Sequence, residues 1–390
     1  MRGFARVSAL TAIVCLAAWV GSASAQEVLD KTKDEQGFER QLTTVDMMHQ
    51  TASQLMTAKQ FDKAAEELEK VVQQEPGRIS AWQDLGACYR ELKEYDKAAH
   101  AYSEAHKLEP QRVDLLSNLG HSQIMAADQA AKESGEDAAK SEYAAAIASY
   151  DAMLAIDPTS YDAAVHLGFL YQKEGKLDKA AEFYEMAVTA NPEDAQSLGS
   201  LAGIYAEQKN NEKAISTFER AIAATTGDTR VRFQSQLGKL LIGEQQFEKS
   251  AAVYTDLVAA KPDNASYQYN LGASLKAQKK FKEATPYLEK AIELKPDFAL
   301  AYQELAACYN EQSRYSDAID MAKKGLEHTD KKAGLYVAWG EALEKVGSYD
   351  EAISVFQRAT GDPQWGAYAK AKITRQENLK KRQQAAAGNN

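Results

Sequence analysis

The chain is expected to fold as an all-α solenoid of about nine stacked helix-turn-helix units, and three observations predict this. A pattern of large and small residues returns every 34 positions along most of the sequence. Two places in the unit, positions 8 and 20, hold a small residue in every copy. Strong helix formers fill most windows, and 390 residues contain only 8 prolines. Stacked units share one continuous core, so this length does not call for two or three separate globular domains.

The clearest copy is SAWQDLGACYRELKEYDKAAHAYSEAHKLEP, residues 80–110. With Ile79 as position 1, Trp82 stands at 4, Leu85 at 7, Gly86 at 8 and Tyr89 at 11. Tyr95 follows at 17, Ala98 at 20, Tyr102 at 24, Ala105 at 27 and Pro110 at 32. This spacing resembles the tetratricopeptide repeat, W-x2-L-G-x2-Y…A-x3-F…P. The resemblance covers residues 45–366 and implies a right-handed superhelical solenoid whose first helices line an inner groove.

In chain order, residues 1–25 stand apart from the repeats. Arg2 and Arg6 precede an apolar run from Val7 to Val20, and Ala23-Ser24-Ala25 is a small-x-small cleavage site. This is the pattern of a signal peptide, so the protein is expected to be exported, periplasmic or secreted, with no integral membrane span after cleavage. Residues 26–44 are polar and read as a linker or N-terminal cap. Repeat 1 (45–78) has a degenerate first helix, which suits a unit with water on one side. Repeat 2 is 79–112.

Repeat 3 (113–160) is longer than its neighbours, with the excess around residues 126–141. About seven extra residues per helix is two turns, so both helices can lengthen in phase, with Gly135 at the tip. Repeats 4 to 9 follow at 161–194, 195–228, 231–264, 265–298, 299–332 and 333–366. Position 8 holds Ala52, Gly86, Gly120, Gly168, Ala202, Gly238, Gly272, Ala306 and Gly340. Position 20 holds Ala64, Ala98, Ala146, Ala180, Ala214, Ser250, Ala284, Ala318 and Ala352. Small side chains at both places let the two helices of a unit approach closely.

Departures mark expected soft places. Thr229–Arg230 is an insertion between repeats 5 and 6, Gly325 thins the second helix of repeat 8, and Pro286 predicts a kink in repeat 7. Residues 367–390 read as a capping helix with a basic tail that is disordered from Ala385. In that tail Lys370, Lys372, Arg375, Lys380, Lys381 and Arg382 face a single Glu377.

The formal net charge is −10, which argues against general nucleic-acid binding, since phosphates are bound by clustered Lys and Arg. Cys88 and Cys308 both fall at position 10 of repeats far apart in the stack, so they read as small core residues rather than a bridge. There is no glycine-rich phosphate loop, no GxSxG elbow, no HExxH helix and no CxxC pair. The chain is therefore expected to be no enzyme and to use no cofactor and no metal. Glu and Asp alternate with Lys on helix exteriors, as in Glu66–Lys70, and read as a solvated face. The triplet Asn264-Ala265-Ser266 is a glycosylation sequon.

The resemblance implies that positions 2, 5, 6, 9, 12 and 13 of each unit face the groove. Asn118 and Asn270 stand at position 6 in N-L-G steps, and an amide there can donate to and accept from an extended main chain. His166, Phe169, Arg232, Lys239, Tyr269 and Gln303 are the other groove candidates, with Phe169 and Tyr269 as aromatic anchors. Gly199, Gly203 and Ala206 form a bald strip that suits curvature or close backbone approach. The expected function is a non-catalytic scaffold or adaptor that holds a polypeptide or envelope proteins in the groove, in envelope assembly, secretion or polymer export. The alternative is a homo-oligomer built through the end repeats or the repeat-3 hairpin.

Overall fold

The computed structural model describes residues 31–33, 39–41 and 43–387. The signal-peptide expectation for residues 1–25 and the last three residues of the tail lie outside the described residues. The protein divides into two compact units, the first ending at Leu170 and the second beginning at Tyr171.

The first unit opens with β1 (Lys31–Lys33) and β2 (Glu39–Gln41), paired antiparallel with Lys31 opposite Gln41. No strand was expected in this polar stretch. Helices follow in antiparallel pairs: α1 (Thr44–Thr57) with α2 (Phe61–Gln74), and α3 (Ile79–Glu91) with α4 (Tyr95–Leu108). The third pair is α5 (Val113–Ser134) with α6 (Glu136–Ile156). The division between the units falls inside α7 (Tyr161–Lys173).

The second unit continues with α8 (Leu177–Ala190), α9 (Ala195–Glu207), α10 (Asn211–Ala223), α11 (Gly227–Gly243), α12 (Phe247–Ala260) and α13 (Ala265–Ala277). It ends with α14 (Phe281–Leu294), α15 (Ala299–Glu311), α16 (Tyr315–Leu326), α17 (Ala333–Lys345), α18 (Tyr349–Gln357) and α19 (Gly366–Ala387). Among the described residues the architecture is all-helical apart from the two short strands, with nineteen helices in sequential antiparallel pairs.

Each unit of the repeat turns in the same way. Position 15 carries a positive φ in eight repeats: Lys59, Lys93, Gly175, Lys209, Gln245, Lys279, Ser313 and Gly347. The residue after it donates its N–H to the carbonyl at position 11, as in Glu94 to Tyr89 at 2.8 Å and Lys280 to Leu275 at 3.0 Å. This is a Schellman closure of the first helix, and it satisfies carbonyls the helix end would otherwise orphan. Six of the eight residues are not glycine, so each carries a steric cost of order 1 kcal/mol. Lys279→Gly (φ +62°) is therefore expected to raise stability by about 0.5–1 kcal/mol, read as a higher urea midpoint at unchanged slope. A lower midpoint would mean that the lysine side chain, not its backbone, matters there.

Small residues at position 8 make room for the ring at position 24 of the same unit. A Cβ on Gly86 would lie 2.9 Å from Tyr102, on Gly120 2.7 Å from Tyr150, and on Gly238 2.8 Å from Tyr254. Between repeats, a tyrosine at position 11 donates to a glutamate on the preceding second helix: Tyr89 to Glu69, Tyr205 to Glu185, and Tyr309 to Glu289 at 2.5 Å. Lys97, Lys213 and Arg314 cover these three rings at 5.1, 4.9 and 4.1 Å. Burial and then the Glu289 bond push the Tyr309 hydroxyl up to about 12, so it stays a donor.

Several expectations are corrected. The two-residue insertion Thr229–Arg230 is taken up in helix, within α11, which runs to 17 residues. Gly325 is not a thin spot, since a Cβ there would meet Leu335 and Tyr302 at 2.8 Å, so the glycine permits close packing. Gly199 is covered by the next repeat, with a Cβ placed 2.2 Å from the Phe233 ring, whereas Gly203 has nothing within 4 Å. Pro286 lies inside α14, near whose start the Phe281 carbonyl accepts from Thr285 Oγ1 at 2.9 Å and Gln312 Nε2 at 3.2 Å. Lys70 pairs with Glu67 at 2.6 Å rather than Glu66, one of many i,i+3 pairs on exposed faces. Asn264 caps α13, accepting from Ser266 N and Tyr267 N at 3.0 and 3.1 Å.

Residues 385–387, expected to be disordered, belong to α19. That helix lies on the last repeat through Ala369 and Ile373, and its cations find acidic partners there. Lys372 meets Glu344 at 2.9 Å, Arg375 meets Glu344 at 3.5 Å, and Lys380 meets Asp350 at 2.5 Å. Three of the six cations of the basic run are thus paired with the acidic edge of the last repeat. Cys88 and Cys308 are buried free thiols, with burial pushing them up to about 11 and 12. Both stay protonated and inert at neutral pH.

Candidate binding groove

Within each unit the first helices of successive repeats lie side by side, and a lateral hydrogen-bond pattern ties them together. Position 12 of one repeat meets position 6 of the next, 28 residues on. Arg90 Nη1 donates to Asn118 Oδ1 at 3.2 Å, Lys276 pairs with Glu304, and Asn310 Nδ2 donates to the Ala338 carbonyl at 2.8 Å. Lys372 to Glu344 extends the same step onto the cap helix. A second set joins positions near the helix starts: His49 with Asp84 at 2.8 Å and Ser117 to Asp162 at 2.6 Å.

In the first unit this pattern brings Asn118 and His166 onto neighbouring helices, α5 and α7. Asn118 spends its carbonyl oxygen on Arg90, leaving the amide N–H groups for another partner. His166 is half-buried, its ring stacked on Tyr150 at 4.6 Å and edge-on to His121 at 6.3 Å. His166 Nδ1 lies 2.8 Å from the Asp162 carbonyl and 3.2 Å from Asp162 Oδ1. Burial pulls its pKa down, but these contacts outweigh burial and hold it above the ordinary histidine value. His121 moves the other way, lowered by burial, then by His166 and Arg90. Phe169, one turn along α7, is partly buried.

In the second unit Arg232 and Lys239 are exposed on α11. Arg232 Nη2 donates to Gln196 Oε1 at 2.9 Å, and its guanidinium stacks 4.9 Å from the Phe233 ring. Both cations border a shallow depression with Ser235, Gln236, Lys261 and Tyr267. Tyr269 is partly buried, its ring 4.8 Å from Phe298, and burial followed by Glu304 pushes its hydroxyl up to about 12. Asn270 is half-buried and sits beside the Tyr254 hydroxyl of the preceding repeat. Gln303 lies over α17, where a Cβ on Gly334 would be 2.1 Å from its Oε1. Tyr269, Asn270 and Gln303 therefore serve packing first, and Arg232 and Lys239 are the candidates most open to a ligand. Arg90 and His121 were missed from the sequence. Their positions, 12 and 9, were groove-facing, but their value as donors depends on a neighbour 28 or more residues away.

Among the described residues no group of three or more His, Cys, Asp or Glu side chains is placed to hold a metal ion. No helix among them is long and apolar enough to cross a membrane.

Matches to the tetratricopeptide repeat family cover residues 55–119, 138–204 and 172–237, and further matches cover 265–298 and 287–320. The chain belongs to the tetratricopeptide repeat family. It is a repeat scaffold of the kind that binds proteins, in a family that is typically non-catalytic. Among curated proteins it is 27% identical over 131 residues to anaphase-promoting complex subunit 3 of Schizosaccharomyces pombe, covering 34% of this chain and 19% of that one. It is 39% identical over 56 residues to the uncharacterized protein ycf37 of Pyropia yezoensis, covering 14% and 32%. The match thus spans about a fifth and a third of these relatives' lengths. Among solved structures, YrrB, described as a TPR protein with an unusual peptide-binding site, shares 16% identity at a TM-score of 0.43 over 51% of this chain and 97% of its own. MamA shares 22% identity at a TM-score of 0.41 over 46% and 91%.

Proposed function

We propose that the protein is a non-catalytic adaptor that binds an extended polypeptide along the first helices within each unit. The observation that carries this is the lateral bonding of those helices. Position-12 to position-6 bonds brace α3 against α5 in the first unit and α13, α15 and α17 in the second, while Arg232, Lys239 and His121 stay exposed. A rigid face loses little entropy on binding, which favours recognition of a flexible segment. We place its work outside the cytoplasm, in a bacterial envelope, on the strength of the signal-peptide pattern in residues 1–25.

Self-assembly through the C-terminal end has less support. There α19 already covers the last repeat with Ala369 and Ile373 and pairs its charges. The test is crosslinking and capture from the native envelope, comparing wild type with Arg232→Glu/Lys239→Glu. Both side chains are exposed, so the variant should fold normally. Partner proteins recovered by wild type and depleted several-fold in the variant would support the reading. Recovery of only the protein itself, equally in both samples, would end it.

A further inference from the structure

Between α2, α3 and α4, on the side of the second helices, the first unit holds a cavity of about 270 Å³ that the scaffold reading does not use. Val72, Leu85 and Ala101 form its buried apolar floor, and the half-buried ring of Trp82 forms a wall. The indole N–H of Trp82 donates to the Pro76 carbonyl at 2.9 Å, and His100 stands edge-on to the ring at 6.2 Å. The wall is therefore set before anything enters. At roughly 30 Å³ for each non-hydrogen atom, the space suits a molecule of about nine such atoms.

The rim supplies charge. Glu69 is exposed and accepts from the neutral hydroxyl of Tyr89, whose ring also borders the cavity. Lys97 covers that ring at 5.1 Å, but its ammonium is taken by Glu94 at 2.6 Å, so the rim keeps a net negative charge on Glu69. The same tyrosine–glutamate bond recurs at Tyr205 and Tyr309, where it serves packing. At those two interfaces position 4 is Leu198 or Tyr302, both buried, and position 22 is Ser216 or Asp320. Repeat 2 alone carries a tryptophan at position 4, and it is half-exposed. What this repeat adds to a packing motif is an aromatic wall beside a carboxylate. Ring faces and a carboxylate attract a cation, and an apolar floor favours a hydrocarbon body.

We infer that this cavity binds a small arylalkylammonium ion, with its ring against Trp82, Leu85 and Val72 and its ammonium group on Glu69. The site is separate from the first-helix face and does not rest on peptide binding there. Its walls come from repeat 1 through α2 and from repeat 2 through α3 and α4, so an occupant joins the two repeats. A ligand that binds only this folded arrangement stabilises it by mass action.

The test is calorimetric titration of the full-length protein with 2-phenylethylammonium chloride, 2-phenylethanol and phenylacetate, which share a ring and differ in charge. It is run at about pH 8, where histidine side chains are ordinarily neutral. The ammonium ion is expected to bind once per chain, about tenfold more tightly than the alcohol, with phenylacetate weaker still. Glu69→Gln keeps an acceptor for Tyr89 and should weaken the ammonium ion about fivefold while leaving the alcohol unchanged. Trp82→Leu, which gives position 4 the residue found at Leu198, should weaken both. If circular dichroism shows that Trp82→Leu has lost its fold, Glu69→Gln, altered on an exposed side chain, decides alone. Hydrogen exchange with the ammonium ion bound should slow in α2–α4 and stay unchanged in α11–α13. Absence of saturable binding, equal affinity for the ammonium ion and the alcohol, an unchanged affinity in Glu69→Gln, or protection away from α2–α4 overturns the proposal.

Discussion

Phe356→Ala should destabilise the C-terminal end of the second unit by about 3–5 kcal/mol, the usual loss for an aromatic ring removed from a closed core. Phe356 is fully buried. It sits at position 24, where its ring fills the space left by Gly340, to which a Cβ would approach within 2.7 Å. Val337, Leu343, Val355 and Ala369 complete the same cluster, so the void would be bounded by α17, α18 and α19 together. The cap helix would feel it at once, because Ala369 and Ile373 are its apolar anchorage. Stability in a stacked array is a sum of unit and interface terms, so the loss should localise. Hydrogen exchange should speed up in α17–α19 and hardly change in α9–α12. Phe356→Leu should cost less than half as much. A uniform loss of protection across the second unit would show that it unfolds as one block.

Gly199→Ala is the sharper test of packing between repeats, since it adds a single methyl. That methyl would lie 2.2 Å from Cε1 and 2.3 Å from Cζ of Phe233, well inside van der Waals contact. Phe233 has little room to yield, being only 2% exposed with Phe218 at 6.4 Å. Overpacking of this kind costs about 1–3 kcal/mol. Gly203→Ala, one turn along the same helix, meets nothing within 4 Å. It should instead be neutral or stabilise by up to about 1 kcal/mol, because it removes a glycine from a helix interior. Urea midpoints of the two variants should therefore move in opposite directions. Phe233→Leu should recover part of the loss in a double-variant cycle. Equal effects from the two glycines would mean that Gly199 matters for helix propensity and not for the ring above it.

The two glycines also show how far the sequence could be read. Both stand in one bald strip, four residues apart and on one face of α9, and nothing local separates them. One lies under an aromatic ring from the next repeat and the other is open. Asn118 and Asn270 repeat the lesson, since they share position 6 and the same N-L-G step. Both meet the preceding repeat, but Asn118 accepts there from the first-helix Arg90, while Asn270 lies beside the buried second-helix Tyr254. The turn at position 15 was legible in principle, yet lysine, glutamine and serine there conceal the left-handed backbone that a glycine would have advertised.

What the sequence determined by itself is the helical period, the pairing of helices, the small residues at positions 8 and 20 and the lengthened third hairpin. In the structure that hairpin is two helices of 22 and 21 residues joined at Gly135 with φ +92°. These features rest on contacts within one repeat or with its immediate neighbour, and the period is written about nine times over, so noise in one copy is corrected by the others. Only the tertiary structure decided which groove-facing side chains are free, which are spent on lateral bonds, and where Arg90, His121 and His166 meet. Those outcomes depend on single pairs of residues 28 or more positions apart, present once each, and no periodicity can announce them.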